Sequence, residues 1–345
     1  MPNDASTQVV SDDQIVLAHG GGGELTRQLV ARHFLPKLAN GLLDPLTDSA
    51  VLEVAAGRLA LTTDSYVVQP IRFPGGDIGR LAVCGTVNDL AVSGARPIAL
   101  TLAVVMEEGL TIGVLDEIVA SIAAAAAEAD VVVATGDTKV IEHRRGDGLM
   151  ITTAGIGEVR PDARLDARRI ATGDVLVISG RIAEHGLAVM SAREGLAFQT
   201  ELVSDVAPLS SLVAAMFDSG ADLKFLRDPT RGGLAGVSAD LVEDTKLTLE
   251  LEESAIPISR VARHTAELLG IDPLVVANEG KVLTVVPAGD ADRLLAAMRS
   301  HPLGAHAAAI GRLVPSQPPL VELITRVGGR RIVQRPYGEE LPRIC

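Results

Sequence analysis

Short apolar runs that read as strands alternate along this chain with longer runs of helical period, and one charged stretch interrupts the alternation. LAHGGGGELTRQLVARHF reads as a strand, a glycine-rich turn and a helix whose apolar face is Leu25, Leu29 and Phe34. A strand at 58–68, a helix at 77–93 closed by Gly94 and a strand through PIALTLAVV follow. Next come an alanine-rich helix at 111–129 and strands at 131–136 and 148–159. RPDARLDARRIATGD is charged and lacks an apolar period, so it marks a boundary near 160–172, before a second unit that opens at DVLVISG. In that unit the pattern predicts helices near 187–195, 208–219, 231–243, 259–269 and 290–300, with strands near 247–251, 281–286 and 320–324. The order lacks strict βαβ regularity, which predicts two α+β domains with sheets covered on one face.

Composition narrows the function. A net charge of −13 argues against a polyanion partner, because nucleic-acid binding rests on a basic face that releases counterions. Aromatic residues make up 2% of the chain and tryptophan is absent, leaving few platforms for stacked bases. No basic segment with an apolar core opens the N-terminus and no apolar run reaches about 18 residues, so no secretory signal or membrane span is expected and the chain reads as cytoplasmic. Neither a Rossmann fingerprint nor a Walker loop is present, so any nucleotide site uses another design.

Three aspartates sit in short polar motifs at predicted element ends: Asp64 in TTDS, Asp89 in TVNDLA and Asp137 in ATGDTKV. Carboxylates on rigid element ends suit Mg²⁺ bridging nucleotide phosphates, with Lys139 placed to meet a phosphate, although an aspartate in each context also serves as a cap. The loop Gly20, Gly21, Gly22 and Gly23, after His19, opens a helix and can turn backbone N–H groups toward phosphates, or simply act as a flexible turn. In RDPTRGGLAG, Asp228, Thr230 and Arg231 precede a helix, as a cap or as an anion site. Asn278, Glu279 and Lys281 interrupt apolar runs in VANEGKV, where a carboxylate with a raised pKa can act as a general base and a solvated turn is the competing reading.

Two cysteines cannot form a multi-bridge framework. Cys84 falls on the apolar face of a predicted helix and reads as core. Cys345 is the final residue, on a tail, RPYGEELPRIC, whose prolines and glycine exclude a helix and suggest a loosely held segment. Such a terminal thiol suits a tethered carrier, with Arg343 favouring the thiolate and the α-carboxylate opposing it.

Taken in order, LAHGGGGELT, TTDSYVV, FPGGDIGRLAVCGTVNDLAVSGARP, ATGDTKV, HGLAVMSAREGL, RDPTRGGLA, NEGK and terminal PRIC resemble the HypE family of hydrogenase expression/formation proteins, from about residue 14 to the end. The resemblance implies an aminoimidazole ribonucleotide synthetase-like (PurM-like) fold, with N-terminal sheets pairing across a homodimer and ATP bound near that interface. It divides the chain into an N-terminal segment (1–40), an ATP-binding dimerisation domain (41–160), a C-terminal α+β domain (161–330) and a tail (331–345). It further implies that a carbamoyltransferase, HypF, loads Cys345 and that ATP-dependent dehydration converts the carbamoyl group to a thiocyanate. The product then passes to a HypC–HypD complex as cyanide for the iron of nickel–iron hydrogenase. On the matching motifs, Asn88, Asp89, Asp137, Thr138, Lys139, Arg231 and the loop glycines would bind nucleotide, Mg²⁺ would sit on Asp64, Asp89 and Asp137, and Glu279 would be the base. The loop departs from the family in having four glycines where a serine is common.

Within the same superfamily, selenophosphate synthetase calls for a cysteine in the N-terminal glycine-rich segment, and none precedes Cys84. Thiamine-phosphate kinase leaves PRIC unexplained. A non-catalytic carrier that merely presents Cys345 would lack ATP hydrolysis dependent on the loaded thiol.

Overall fold

The computed structural model describes residues 14–16, 19, 24–41, 43, 57–195, 202–335 and 343–345. The predicted glycine loop, Gly20 to Gly23, lies outside the described residues, as does most of the tail.

Helix α1 (Glu24–Leu29) runs through a π turn (Val30–Phe34) into α2 (Leu35–Leu38). That turn shifts the helical phase between Leu29 and Phe34. The buried side chains are Leu29, Phe34 and Leu38, while Leu25 is 42% exposed, unlike the expected face. Strand β1 (Leu59–Tyr66) is followed by the small hairpin β2 (Arg72–Phe73) and β3 (Gly76–Asp77). Asp77 then caps α3 (Ile78–Val92) by accepting from the N–H groups of Gly79 and Arg80 at 2.8 and 2.9 Å. Strand β4 (Ala95–Glu107), helix α4 (Ile112–Glu128), β5 (Val132–Ile141) and β6 (Leu149–Val159) complete the first unit.

The first sheet has the order β1-β6-β4-β5. Helices α3 and α4 pack on one face, and among the described residues no helix covers the other. α3 is apolar nearly all round, as befits a helix enclosed by a sheet and neighbouring helices. Of its 15 residues only Arg80 and Asp89 are not buried. Cys84, on this helix, is fully enclosed and its thiol is pushed up to about 12 by burial, as a core cysteine should be.

The second unit contains β7 (Val175–Ile178), α5 (Glu184–Arg193), α6 (Ser210–Asp218), β8 (Phe225–Arg227), α7 (Gly233–Thr245), β9 (Thr248–Glu252) and α8 (Arg260–Leu269). It continues with β10 (Leu283–Val286), α9 (Ala291–Arg299), β11 (Ala308–Val314), β12 (Val321–Ile324) and β13 (Arg330–Val333). These strands form one sheet in the order β13-β12-β9-β11-β7-β10-β8. It is covered on both faces, not on one as the pattern suggested. Leu176 and Ile178 of β7 join a core with α5, α7 and α8, while Val177 joins another with α6 and α9. A strand buried on both sides reads as a continuous apolar run, and VLVI is one. Strands β8, β11 and β13 have no counterpart in the sequence reading. Among the described residues no helix is long and apolar enough to cross a membrane.

Candidate active site

Where the two units meet, one cleft is lined by Asp64, Ser65, Tyr66, Asp89, Asp228, Thr230, Arg231, Glu279 and Cys345. Each arrives for a local reason. Asp64 lies on the helix-covered face of β1, and Asp89 is one of the two residues of α3 not packed into the core. Asp228 and Arg231 sit in the turn before α7. There Gly233 takes a φ of +58°, and a Cβ on it would stand 2.6 Å from the carbonyl of Val276, so this turn requires glycine.

Glu279 comes from the loop before β10, which polar side chains hold from beneath. Asn278 Nδ2 donates to the carbonyls of Pro229 and Val276, both at 2.9 Å, and its Oδ1 accepts from the Ala183 N–H at 2.7 Å. Lys281 pairs with buried Asp205 at 2.9 Å. Asn88 spans the units: its amide donates to the carbonyls of Ala207 and Glu279, both at 3.1 Å, and accepts from Leu209 N–H at 2.7 Å. Every polar valence of that buried side chain except one acceptor lone pair is used, so Asn88 positions the Glu279 loop.

The terminal thiol lies inside this cleft. Arg231 and Glu279 flank the Cys345 sulfur and act on it electrostatically. Burial, and then the neighbouring Glu279 carboxyl, push the thiol up to about 12 despite the Arg231 guanidinium. Arg343, expected to favour the thiolate, instead pairs with Asp147 at 3.1 Å. Glu279 is 2% exposed; burial, then Asp228 and Asp205, hold its carboxyl well above the usual range, and its Oε1 has no hydrogen-bond partner.

The acidic residues form a set with a different third member from the one expected. Asp89 accepts from Thr62 Oγ1 at 2.7 Å and lies beside Asp64 in the cleft. Its carboxyl is pushed up to about 6, by burial first and also by Asp64. Two neighbouring carboxylates repel, and a divalent cation beside them relieves that repulsion. Tyr66 Oη donates to Asp64 at 3.2 Å and keeps it in place. Buried Asp228 is the third aspartate of the cleft, pushed up to about 7 by burial and then by Asp89.

Asp137 does not join them within one chain. Asp64 pairs across the sheet with Thr153, Leu102 and Gly136, whereas Asp137 shares its row with Ala103, Thr152 and Ser65. Adjacent rows point to opposite faces, so Asp137 lies on the uncovered face and three strands away, about 14 Å. Lys139, in the row of Val105 and Met150, shares that face. Asp137 and Thr138 also border an apolar pocket of about 190 Å³ against Val30, Phe34 and Leu38. Among the described residues no three His, Cys, Asp or Glu side chains are arranged to hold a metal by themselves. Asp64 and Asp89 nonetheless fit Mg²⁺, which usually takes one or two carboxylates and fills its remaining positions with phosphate oxygens and water.

Residues 46–159 match the AIR synthase related protein N-terminal domain, and residues 171–322 match the C-terminal domain of the same family. The carbamoyl dehydratase HypE of Azotobacter vinelandii is 46% identical over 331 residues, 96% of this chain and 97% of that protein. The fold is similar to that of a hydrogenase maturation protein HypE solved in complex with ATP, with a TM-score of 0.92 and 41% identity over 96% of this chain and 99% of that one. It is also similar to a chain of a HypE–HypF complex, with a TM-score of 0.78 and 42% identity over 91% of this chain and 100% of that one.

Proposed function

The chain belongs to the HypE family of carbamoyl dehydratases, and from that premise we propose that it uses ATP to dehydrate an S-carbamoyl group on its own Cys345 to a thiocyanate. The thiocyanate supplies cyanide ligands for the iron of a nickel–iron hydrogenase. The observation that carries this reading is the Cys345 thiol, seated between Arg231 and Glu279 in a cleft with Asp64, Asp89 and Asp228.

The amide oxygen of the thiocarbamate is a poor leaving group. Its attack on the γ-phosphorus of ATP breaks the bond to ADP and turns that oxygen into a phosphate ester, with loss of one N–H proton. The C–O bond then breaks, phosphate leaves with the electron pair, and the second N–H proton departs as the C≡N bond forms. Glu279 is the base: a buried carboxylate with a raised pKa is a stronger base than a solvated one. Arg231 orients the loaded sulfur. Mg²⁺ held by Asp64 and Asp89, with Asp228 close by, would neutralise phosphate charge.

We further propose that the working unit is a homodimer and that Lys139 acts on the cleft of the second copy. Three facts support this. Lys139 and Asp137 lie on the uncovered face of the first sheet, which also carries exposed Leu61. They do not reach their own chain's cleft. The space left around the docked thiol is only about 60 Å³, far below what a nucleotide needs. HypF is the loading partner, as the HypE–HypF complex of a relative suggests. A HypC–HypD complex is the proposed acceptor. ATP-dependent chemistry on a free thiol fits the cytoplasm, where thiols stay reduced.

Mass spectrometry of the C-terminal peptide tests the reaction. Incubation with HypF, carbamoyl phosphate and ATP should add a carbamoyl group to Cys345 and then remove one water. Modification at another residue, or dehydration in a Cys345→Ala variant, would overturn it.

A further inference from the structure

The last three residues are held through their backbone as well as through their side chains. The Arg343 carbonyl accepts from the Gln69 N–H at 3.1 Å and from Arg193 Nη2 at 2.6 Å, while Arg193 Nε donates to the Gln69 carbonyl at 2.9 Å. The Ile344 carbonyl meets His185 Nε2 at 3.0 Å, and the Ile344 side chain is buried in the core of the first unit. A carbonyl only accepts, so Nε2 carries the proton. Nδ1 is then an acceptor, filled by the Ser204 hydroxyl at 2.8 Å, and Ser204 Oγ in turn accepts from the Val206 N–H at 3.1 Å. The imidazole is fully buried, its pKa is lowered by that burial, and Phe73 lies edge-on to it with centroids 5.3 Å apart. One tautomer and one orientation are thereby fixed.

None of these contacts touches the thiol. We propose that His185, oriented by Ser204, and Arg193 form a latch that reads the tail through its carbonyls and Ile344 whatever the sulfur carries, and so divides the tail between two states. Docked, Cys345 is presented to Glu279 and Arg231 for dehydration and is closed to reagents. Undocked, it is open to acylation. His185 and Arg193 are positioning residues, and weakening them moves the two half-reactions in opposite directions.

This inference rests on Cys345 being the carrier thiol, and its test separates the two ideas. Full-length, nucleotide-free protein is treated with iodoacetamide at fixed pH, and alkylation of the Cys345 and Cys84 peptides is followed by mass. His185→Phe keeps a ring against Phe73 but loses the donor, His185→Gln keeps an amide donor, and Arg193→Met alters a half-exposed side chain. Losing the donor to the buried Ile344 carbonyl should speed Cys345 alkylation about tenfold in His185→Phe, and losing the exposed bond to the Arg343 carbonyl should speed it by less in Arg193→Met, with Cys84 unchanged and His185→Gln closer to wild type. The same two variants should load carbamoyl faster and dehydrate the loaded tail more slowly. Equal acceleration at Cys84, no acceleration at Cys345, or loading and dehydration changing in the same direction would each refute the latch. Accelerated alkylation with no carbamoyl ever found on Cys345 would uphold the latch and refute the carrier assignment.

Discussion

Replacing Asp228 with asparagine should remove a specific part of the pH dependence of stability. Asp228 is 7% exposed, and its carboxyl is pushed up to about 7 by burial, then by the charge of Asp89, against a model-compound value of 3.8. An acid whose folded pKa is raised favours the neutral form of the fold. The stability it carries is complete below the unfolded pKa, near 4, and drains away as pH rises through 7. A shift of about 3 units corresponds to about 4 kcal/mol, of which roughly 3 kcal/mol is lost between pH 5 and pH 8. Asparagine has nearly the same shape and cannot ionise, so Asp228→Asn should lack that loss and gain on wild type as pH rises.

Urea unfolding midpoints of nucleotide-free, metal-free full-length protein at pH 5, 6.5 and 8 measure the effect. A chain of two units need not unfold in one step, so the informative quantity is how the difference between the two proteins varies with pH. Parallel curves would refute the reasoning, because they would mean that Asp228 ionises in the fold as freely as in water. Mg²⁺ and ATP supply an independent check. A cation beside the cleft favours the carboxylate, so ligand should restore more stability at pH 8 to wild type than to Asp228→Asn.

Three further outcomes follow from the site. Glu279→Gln keeps the shape of a buried side chain but removes the base, so ATP binding should persist while thiocyanate formation falls about a hundredfold or more; unchanged single-turnover dehydration would exclude Glu279 as the base. If Lys139 serves the second copy's cleft, Lys139→Ala and Glu279→Gln, each inactive alone, should regain about a quarter of wild-type activity when co-folded, since one kind of mixed dimer keeps one intact cleft; no recovery would argue for a site within one chain. Gly280→Ala would drive a Cβ to 1.8 Å from the backbone oxygen of Asp205, so the Glu279 loop must shift, and both thermal stability and dehydration should drop together.

Much of the fold was legible because period and capping are local. Helix α3 ends where Gly94 turns the chain at a φ of +76°, and α4 begins at Thr111, within a residue or two of where their patterns start and stop. The short strands β8 and β13 were not legible, since three or four residues carry too little pattern to separate from a loop. Membership of the site was legible only in part. Asp64, Asp89, Arg231, Glu279 and Cys345 do converge, but RDPTRGG read equally as a cap or as an anion site, and that Asp228 is a buried carboxyl of the cleft was not legible. That Asp137 lies apart from Asp64 and Asp89 within one chain was not legible for a related reason. A strand sends neighbouring residues to opposite faces, and which face is covered depends on sheet order, which composition and spacing do not reveal. Asn88 shows the converse: a polar residue on a buried helix draws attention, yet its hydrogen bonds are spent on holding two units together.

The protonation state of Cys345 bears on what kind of participant it is. A catalytic cysteine is normally activated in its site by a neighbour that lowers its pKa. Here the site does the reverse: burial and Glu279 outweigh Arg231 and push the docked thiol up to about 12, which keeps it protonated near neutral pH. A neutral thiol is a poor nucleophile toward carbamoyl donors, so loading belongs to the undocked tail, where water and a cationic neighbour such as Arg343 can act on it. Once the sulfur carries a carbamoyl group it has no proton to lose, and the feature that silences the free thiol costs the loaded one nothing. The buried carboxyl that raises the thiol's pKa is then free to accept protons from the amide nitrogen. A cleft built to activate sulfur would need Glu279 elsewhere; one built to receive sulfur as a substrate needs it where it is.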